Sequence, residues 1–307
     1  MSKLAFVACA LLLAWPSHTL AAEKIPVLLD TDIGTDIDDA FALALIVNSP
    51  ELELLGVTTV SGDTAARARL AAKMLWEAGG AWRGVPVVPG EPGKPLPIEQ
   101  TRWADGFTSP QLKHEKATDF LRTEFDRQPG KITLLTIGPL TNIAALLKEH
   151  PDVARKIKRI VMMGGSIARG YEPGSPAAPE YNIAADAPAA QTVFASGIPI
   201  LMAPLDVTAM LQLEEADRQR IFTHLSPLTN VLTLLYHLWN HPTPTLFDPM
   251  AVALLIDPSL CETKPQAIEV DAKGFTRVAE GRPPNATVAL HTEPQKFFQF
   301  YTSRVAP

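Results

Sequence analysis

Leu28-Leu29-Asp30-Thr31-Asp32-Ile33-Gly34-Thr35-Asp36-Ile37-Asp38-Asp39-Ala40 is the stretch on which the reading of the fold turns. An apolar run at 26–29 stops at five carboxylates within ten residues, and helical spacing takes over at 40–47. A strand that ends in polar residues and feeds a helix is the repeating unit of a parallel sheet. Crowded carboxylates raise one another's pKa, whereas a divalent cation keeps them all ionised. A set of hard oxygen donors without Cys or His selects calcium or magnesium over zinc, and a flexible, high-coordination site favours calcium. Helix capping alone accounts for one or two such acids, not for five beside an apolar strand. An EF-hand loop fits poorly, because Gly34 falls at its fifth position and the terminal Glu is missing.

Outward from this stretch the pattern repeats. Further strands are expected at 54–60, 85–88, 132–137, 160–163 and 198–203, with helices at 65–76, 119–125, 141–147 and 187–195. The expected fold is α/β: a Rossmann-like, open, mostly parallel sheet flanked by helices. Such sheets place ligands in the loops beyond the carboxyl ends of their strands, and the Pro-rich segments 89–97 and 173–179 are long enough to serve. Short strands at 268–270 and 287–290, followed by an aromatic helix near 297–301, are expected to form a small C-terminal β flap of the same domain.

The chain has 307 residues, 47% of them hydrophobic and 20% charged, enough to bury a large core. Residues 1–22 have the pattern of a secretory signal: basic Lys3, an apolar run at 4–15, then small residues around Thr19, Ala21 and Ala22. The expectation is an exported protein, periplasmic or secreted, whose single domain is 23–307. Cys9 lies in that leader, so Cys261 is left without an internal partner and no disulfide framework is expected. The net charge of −6 argues against nucleic acid polymers as ligands, and no later apolar run is long enough to span a membrane.

The acidic stretch resembles the opening motif of the inosine-uridine-preferring nucleoside hydrolase family. The likeness continues through Thr58-Thr59-Val60-Ser61-Gly62-Asp63, Ile137-Gly138-Pro139-Leu140-Thr141-Asn142, Met163-Gly164-Gly165 with Glu180-Tyr181-Asn182, and Asp248-Pro249. It implies calcium-dependent hydrolysis of the N-glycosidic bond of ribonucleosides to ribose and free base, in purine or pyrimidine salvage, by a dimer or tetramer. The ion is then held by Asp32, Asp39, Asp248 and the main-chain carbonyl of Ile137, with Asp30 supporting them from behind. Asp32 also takes a proton from the attacking water. Asp38 holds the 2′-hydroxyl, Asn182 another ribose hydroxyl and Glu180 the 5′-hydroxyl. Carboxylates around the sugar stabilise the positive charge of an oxocarbenium-like transition state.

The chain also departs from the family pattern. Its opening motif is two residues longer than the commonest form, so Asp36 competes with Asp38 for the ribose. Asp63, expected among the substrate-binding residues, stands where Asn is common, adding negative charge beside the metal. Gly174 replaces an Asn expected to assist Glu180. Phe247 occupies the position of a histidine that protonates the departing base. The segment Tyr236-His237-Leu238-Trp239-Asn240-His241 offers rings for the base in Tyr236 and Trp239 and an acid in His241, although helical spacing also fits core packing for the two rings. Thr141 and Asn142 read equally as a self-capping helix start. Two other readings stay open: a haloacid dehalogenase-like phosphatase, weakened by Gly34 and the lack of a convincing Lys motif, and a non-catalytic nucleoside- or sugar-binding protein.

Overall fold

The apolar run ahead of the acids forms an inner strand of the sheet. A computed structural model describes residues 23–307; the expected leader and Cys9 lie outside the described residues. In chain order the elements are β1 (Ile25–Thr31), α1 (Asp38–Val47), β2 (Leu52–Thr59), α2 (Thr64–Ala78), β3 (Val87–Pro89), α3 (Ala117–Arg127), β4 (Thr133–Thr136), α4 (Thr141–Glu149), β5 (Arg159–Met163), α5 (Tyr181–Ala184), α6 (Ala187–Phe194) and β6 (Ile200–Ala203). They continue with α7 (Leu205–Thr208), α8 (Glu215–Thr223), α9 (Pro227–Trp239), α10 (Phe247–Ile256), β7 (Cys261–Gln266), β8 (Ile268–Val270), β9 (Thr276–Val278), β10 (Ala286–Thr292) and α11 (Pro294–Val305).

Eight strands make one sheet in the order β3-β2-β1-β4-β5-β6-β10-β7. Neighbours are parallel except at the β10–β7 edge. Both faces are covered, and β1 shows why its sequence is apolar throughout: Val27 and Leu29 join the core beneath α1, α2 and α10, while Leu28 joins the core beneath α3, α4 and α6. Strand order reverses at β1, which has β2 on one side and β4 on the other. The carboxyl ends of β1 and β4 therefore diverge into a crevice, the usual ligand position in an open α/β sheet.

The carboxyl-terminal region holds the expected small antiparallel flap, but one of its two expected strands lies elsewhere. Strand β10, which contains 287–290, inserts into the main sheet beside β6, and only β8 and β9 form a separate antiparallel pair. Strand β7 was not expected at all. Its sequence, Cys261-Glu262-Thr263-Lys264-Pro265-Gln266, is too polar to show the pattern of a buried strand, which suits an edge protected by charge and Pro. Among the described residues, no helix is long and apolar enough to cross a membrane.

Candidate active site

The opening acids are set by three elements. Asp30 closes β1 and is fully buried; its Oδ1 accepts from Thr58 and, at 2.8 Å, from the Asn142 amide. Neither Thr141 nor Asn142 caps α4: Asn142 reaches across to Asp30, while the exposed Thr141 donates to Asp186 at 2.7 Å. Asp32 lies on the loop between β1 and α1. Gly138 is required beside it, because a side chain there would come within 2.9 Å of both the Asp32 amide and its carboxylate. Asp38 and Asp39 form the first turn of α1, where the helix dipole favours negative charge. Asp248 enters from the first turn of α10, and its N–H donates to Asp38 Oδ2 at 3.1 Å.

Asp38, Asp39 and Asp248 each present a carboxylate oxygen within 4.8 Å of the others, and all three are buried. With Asp32, Asp36 and the backbone segment at Ile137 they line one cavity of about 280 Å³. Burial first, and then the charge of neighbouring aspartates, Asp32 and Asp36 among them, pushes Asp38, Asp39 and Asp248 well above the ordinary carboxylate range. Burial raises Asp32 to about 6 and Asp30 to about 7. One oxygen of Asp30 has no hydrogen-bond partner. Such a set is stable only with protons or with a cation. Its donors, carboxylate and carbonyl oxygens, suit a hard divalent ion.

The wall opposite is built by a helix cap. Glu180 precedes α5 and accepts from the N–H groups of Asn182 (2.8 Å), Ile183 (3.2 Å) and Gly165 (2.8 Å). Burial nevertheless raises it to about 7. The cap turns Asn182 toward the acids, where its amide donates to the carbonyls of Ile137 and Met163, both at 3.3 Å. Glu180 and Asn182 are therefore a turn and a cavity wall at once.

The other rim differs from expectation. Phe247 lines the cavity with Tyr171 set edge-on to it, their centroids 6.0 Å apart. The Tyr171 hydroxyl accepts from the Tyr181 N–H at 2.7 Å, and burial raises its pKa. Tyr171, Tyr181 and Met163 were not singled out from sequence as contact residues, although Tyr171 abuts the Pro-rich loop expected to carry ligands. The three α9-end candidates do not line the cavity. Tyr236 packs on Phe222 at 5.0 Å and donates to the Pro242 carbonyl at 2.8 Å. The rings of Trp239 and the exposed His241 lie 4.8 Å apart, tilted by 54°, and both act on Asp36, which itself reaches the cavity. Burial holds Asp36 above the usual range, opposed by the Ile37 N–H, the charge of His241 and the Trp239 indole. Asp63 is also absent from the wall: it is exposed, and its carboxylate caps α2 by accepting from Ala66 N–H at 2.9 Å.

Comparisons with known proteins agree with this geometry. Residues 27–299 match the family described as inosine-uridine preferring nucleoside hydrolase. A pyrimidine-specific ribonucleoside hydrolase of Citrobacter koseri is 32% identical over 314 residues, covering 92% of this chain and 98% of the relative. Among solved structures, a plant nucleoside hydrolase superposes with a TM-score of 0.78 at 27% identity, covering 92% of this chain and 99% of that one. A purine-preferring ribonucleoside hydrolase from Gardnerella vaginalis gives 0.73, also at 27% identity, covering 92% and 98%.

Proposed function

The chain belongs to the inosine-uridine preferring nucleoside hydrolase family, enzymes acting on N-glycosyl bonds, and on that premise we propose that it is a calcium-dependent hydrolase releasing ribose and a free base from ribonucleosides. The observation that carries the reading is the meeting of Asp38, Asp39 and Asp248 within 4.8 Å, in a cavity that Glu180 and Asn182 close from the opposite side. Asp39 and Asp248, with Asp32 and the Ile137 carbonyl, are the ligands we assign to the ion, and Asp30 supports them through its contacts to Thr58 and Asn142. When bound, calcium supplies a fixed positive charge that acidifies a water and anchors vicinal sugar hydroxyls.

The chain's own groups do the rest. Asp32 accepts the proton of the water that attacks the anomeric carbon. Asp38 accepts a hydrogen bond from the 2′-hydroxyl, Asn182 binds a second ribose hydroxyl and Glu180 the 5′-hydroxyl. Their summed negative charge stabilises the sugar as it becomes cationic, in a site where solvent screens little. Tyr171 and Phe247 hold the base. Phenylalanine has no proton to give, so the acid for the departing base is His241 acting through Asp36: Asp36, which lines the cavity, gives its proton to the base and is reprotonated by His241.

We propose further that residues 1–22 are an export leader, that residues 23–307 work as one domain outside the cytoplasm in nucleoside salvage, and that the protein is a dimer or tetramer. Amino-terminal sequencing of the exported protein and sedimentation of the purified one test these readings. The activity is tested by reducing-sugar release from inosine, uridine, adenosine and cytidine with and without chelator. Release that chelation abolishes and calcium restores is expected. Failure of folded, calcium-replete protein to cleave any of the four would overturn the reading.

A further inference from the structure

Arg67 is the only lysine or arginine buried among the described residues, with no exposed surface. A guanidinium at that depth is costly unless its donors and its charge are both met. Its Nε donates to the Ser61 carbonyl at 2.8 Å. Nη1 donates to the carbonyls of Asp32 and, at 2.9 Å, Ile33, while Nη2 donates to Thr35 Oγ1 at 2.8 Å. Every one of these partners is a neutral oxygen, and three of them belong to the loop between β1 and α1. Arg67 therefore holds the loop's path as well as supplying a charge near its acids.

That loop needs holding. It is the segment that runs two residues longer than the commonest form of the motif, and a longer loop has more conformations to lose. Two other contacts restrain it. Gly34, at φ +113°, packs so closely that a side chain there would come within 2.8 Å of Ile98. The buried Gln100 amide donates to the Asp36 carbonyl at 2.6 Å. Arg67 grips the first half of the loop and Gln100 the second.

We propose that Arg67 is a positioning residue for catalysis: by clamping the Asp32 and Ile33 carbonyls from α2, it aims the Asp32 carboxylate into the cavity. The inference rests on the reading of Asp32 as the base. The sugar contacts assigned to Asp38, Asn182 and Glu180 come from other elements, so loosening the clamp affects turnover far more than substrate affinity. Lysine keeps the charge but loses the planar fork that reaches several acceptors at once.

The test compares Arg67→Lys with the unaltered enzyme at saturating calcium. Expected is a loss of about a hundredfold in kcat, the scale of a small misplacement of a reacting group, with KM changed less than about threefold. Terbium titration, read by luminescence, should show roughly tenfold weaker binding, since one carboxylate ligand is misaimed. Free guanidinium at millimolar concentration should partly restore kcat to Arg67→Ala. If Arg67→Lys does not fold, Thr35→Val removes only the Nη2 contact and is expected to lower kcat several-fold. Unchanged kcat in these variants, or a loss matched by an equal rise in KM, overturns the proposal. Asp32→Asn is assayed in parallel. If it abolishes turnover while Arg67→Lys does not, the clamp alone is wrong; if it retains turnover, the reading of Asp32 falls and the clamp's purpose with it.

Discussion

The two ends of the cavity are built on different principles. At the end proposed to hold the sugar, Asp30, Asp32, Asp38, Asp39, Glu180, Asn182 and Asp248 are all buried, and each is tied to a strand end, a helix start or a clamped loop. At the end proposed to hold the base, Tyr171 and Tyr181 are exposed, 39% and 47%, and Tyr171 stands on a loop of irregular backbone. A buried, mutually constrained acid cannot be exchanged without unbalancing its neighbours, whereas an exposed ring on a loop can be replaced at little cost to the fold. The contrast suits an enzyme that treats every ribose alike and lets the base vary.

The sharpest way to break this contrast is to disable the sugar end. Asp32→Asn is expected to lower kcat about a thousandfold, within the range for loss of a general base, and to do so equally for every nucleoside cleaved. A loss confined to one base would show that Asp32 belongs to the base end.

Removing the cation comes next. Burial has raised Asp30 and Glu180 to about 7 and Asp32 to about 6, all above their unfolded values. The folded state therefore binds more protons than the unfolded chain between about pH 4 and pH 7. Chelated protein should be most stable near pH 4 and lose stability as pH rises through about 7. Calcium should raise the melting temperature more at pH 8 than at pH 5, because the ion competes with protons for the carboxylates of Asp32, Asp39 and Asp248, all of them raised by burial. Scanning calorimetry across that range checks the sign; a chelated protein that gains stability toward neutrality would contradict it.

Two smaller effects sharpen the comparison. Phe247→His places a proton donor in the rim and is expected to shift the ratio of kcat/KM for inosine over uridine by about tenfold, with the melting temperature little changed. Asp63→Ala removes a helix cap and should cost about 1 kcal/mol of stability while leaving KM unchanged. A rise in KM would return Asp63 to the substrate side.

The class of fold, the places of the first six strands along the chain and the acidic pole were legible in the sequence. Each rests on short-range signals: apolar runs, helical spacing, and carboxylates too crowded to be accidental. The C-terminal strands were harder, because β7 is a polar edge and β10 is claimed by the main sheet only once β6 is in place. Arg67 left one trace, since its spacing with Leu70, Ala71 and Met74 puts it on the inward face of α2. Spacing could not say which backbone it would grip, 34 residues away at Ile33.

What the sequence determined by itself was therefore the class of sheet, the positions of most of its strands and the set of acids beyond β1, because strand pattern and charge crowding are local properties; the switch point at β1 came from the tertiary structure. Only the tertiary structure decided which rings face the cavity and which acids share it. Tyr171, Phe247 and Asp248 reach the acidic loop from distant parts of the chain, while Tyr236, with equal aromatic character, is turned into packing by the helix that carries it. The physical reason is that residue type sets what a group can do, whereas long-range packing sets where it points.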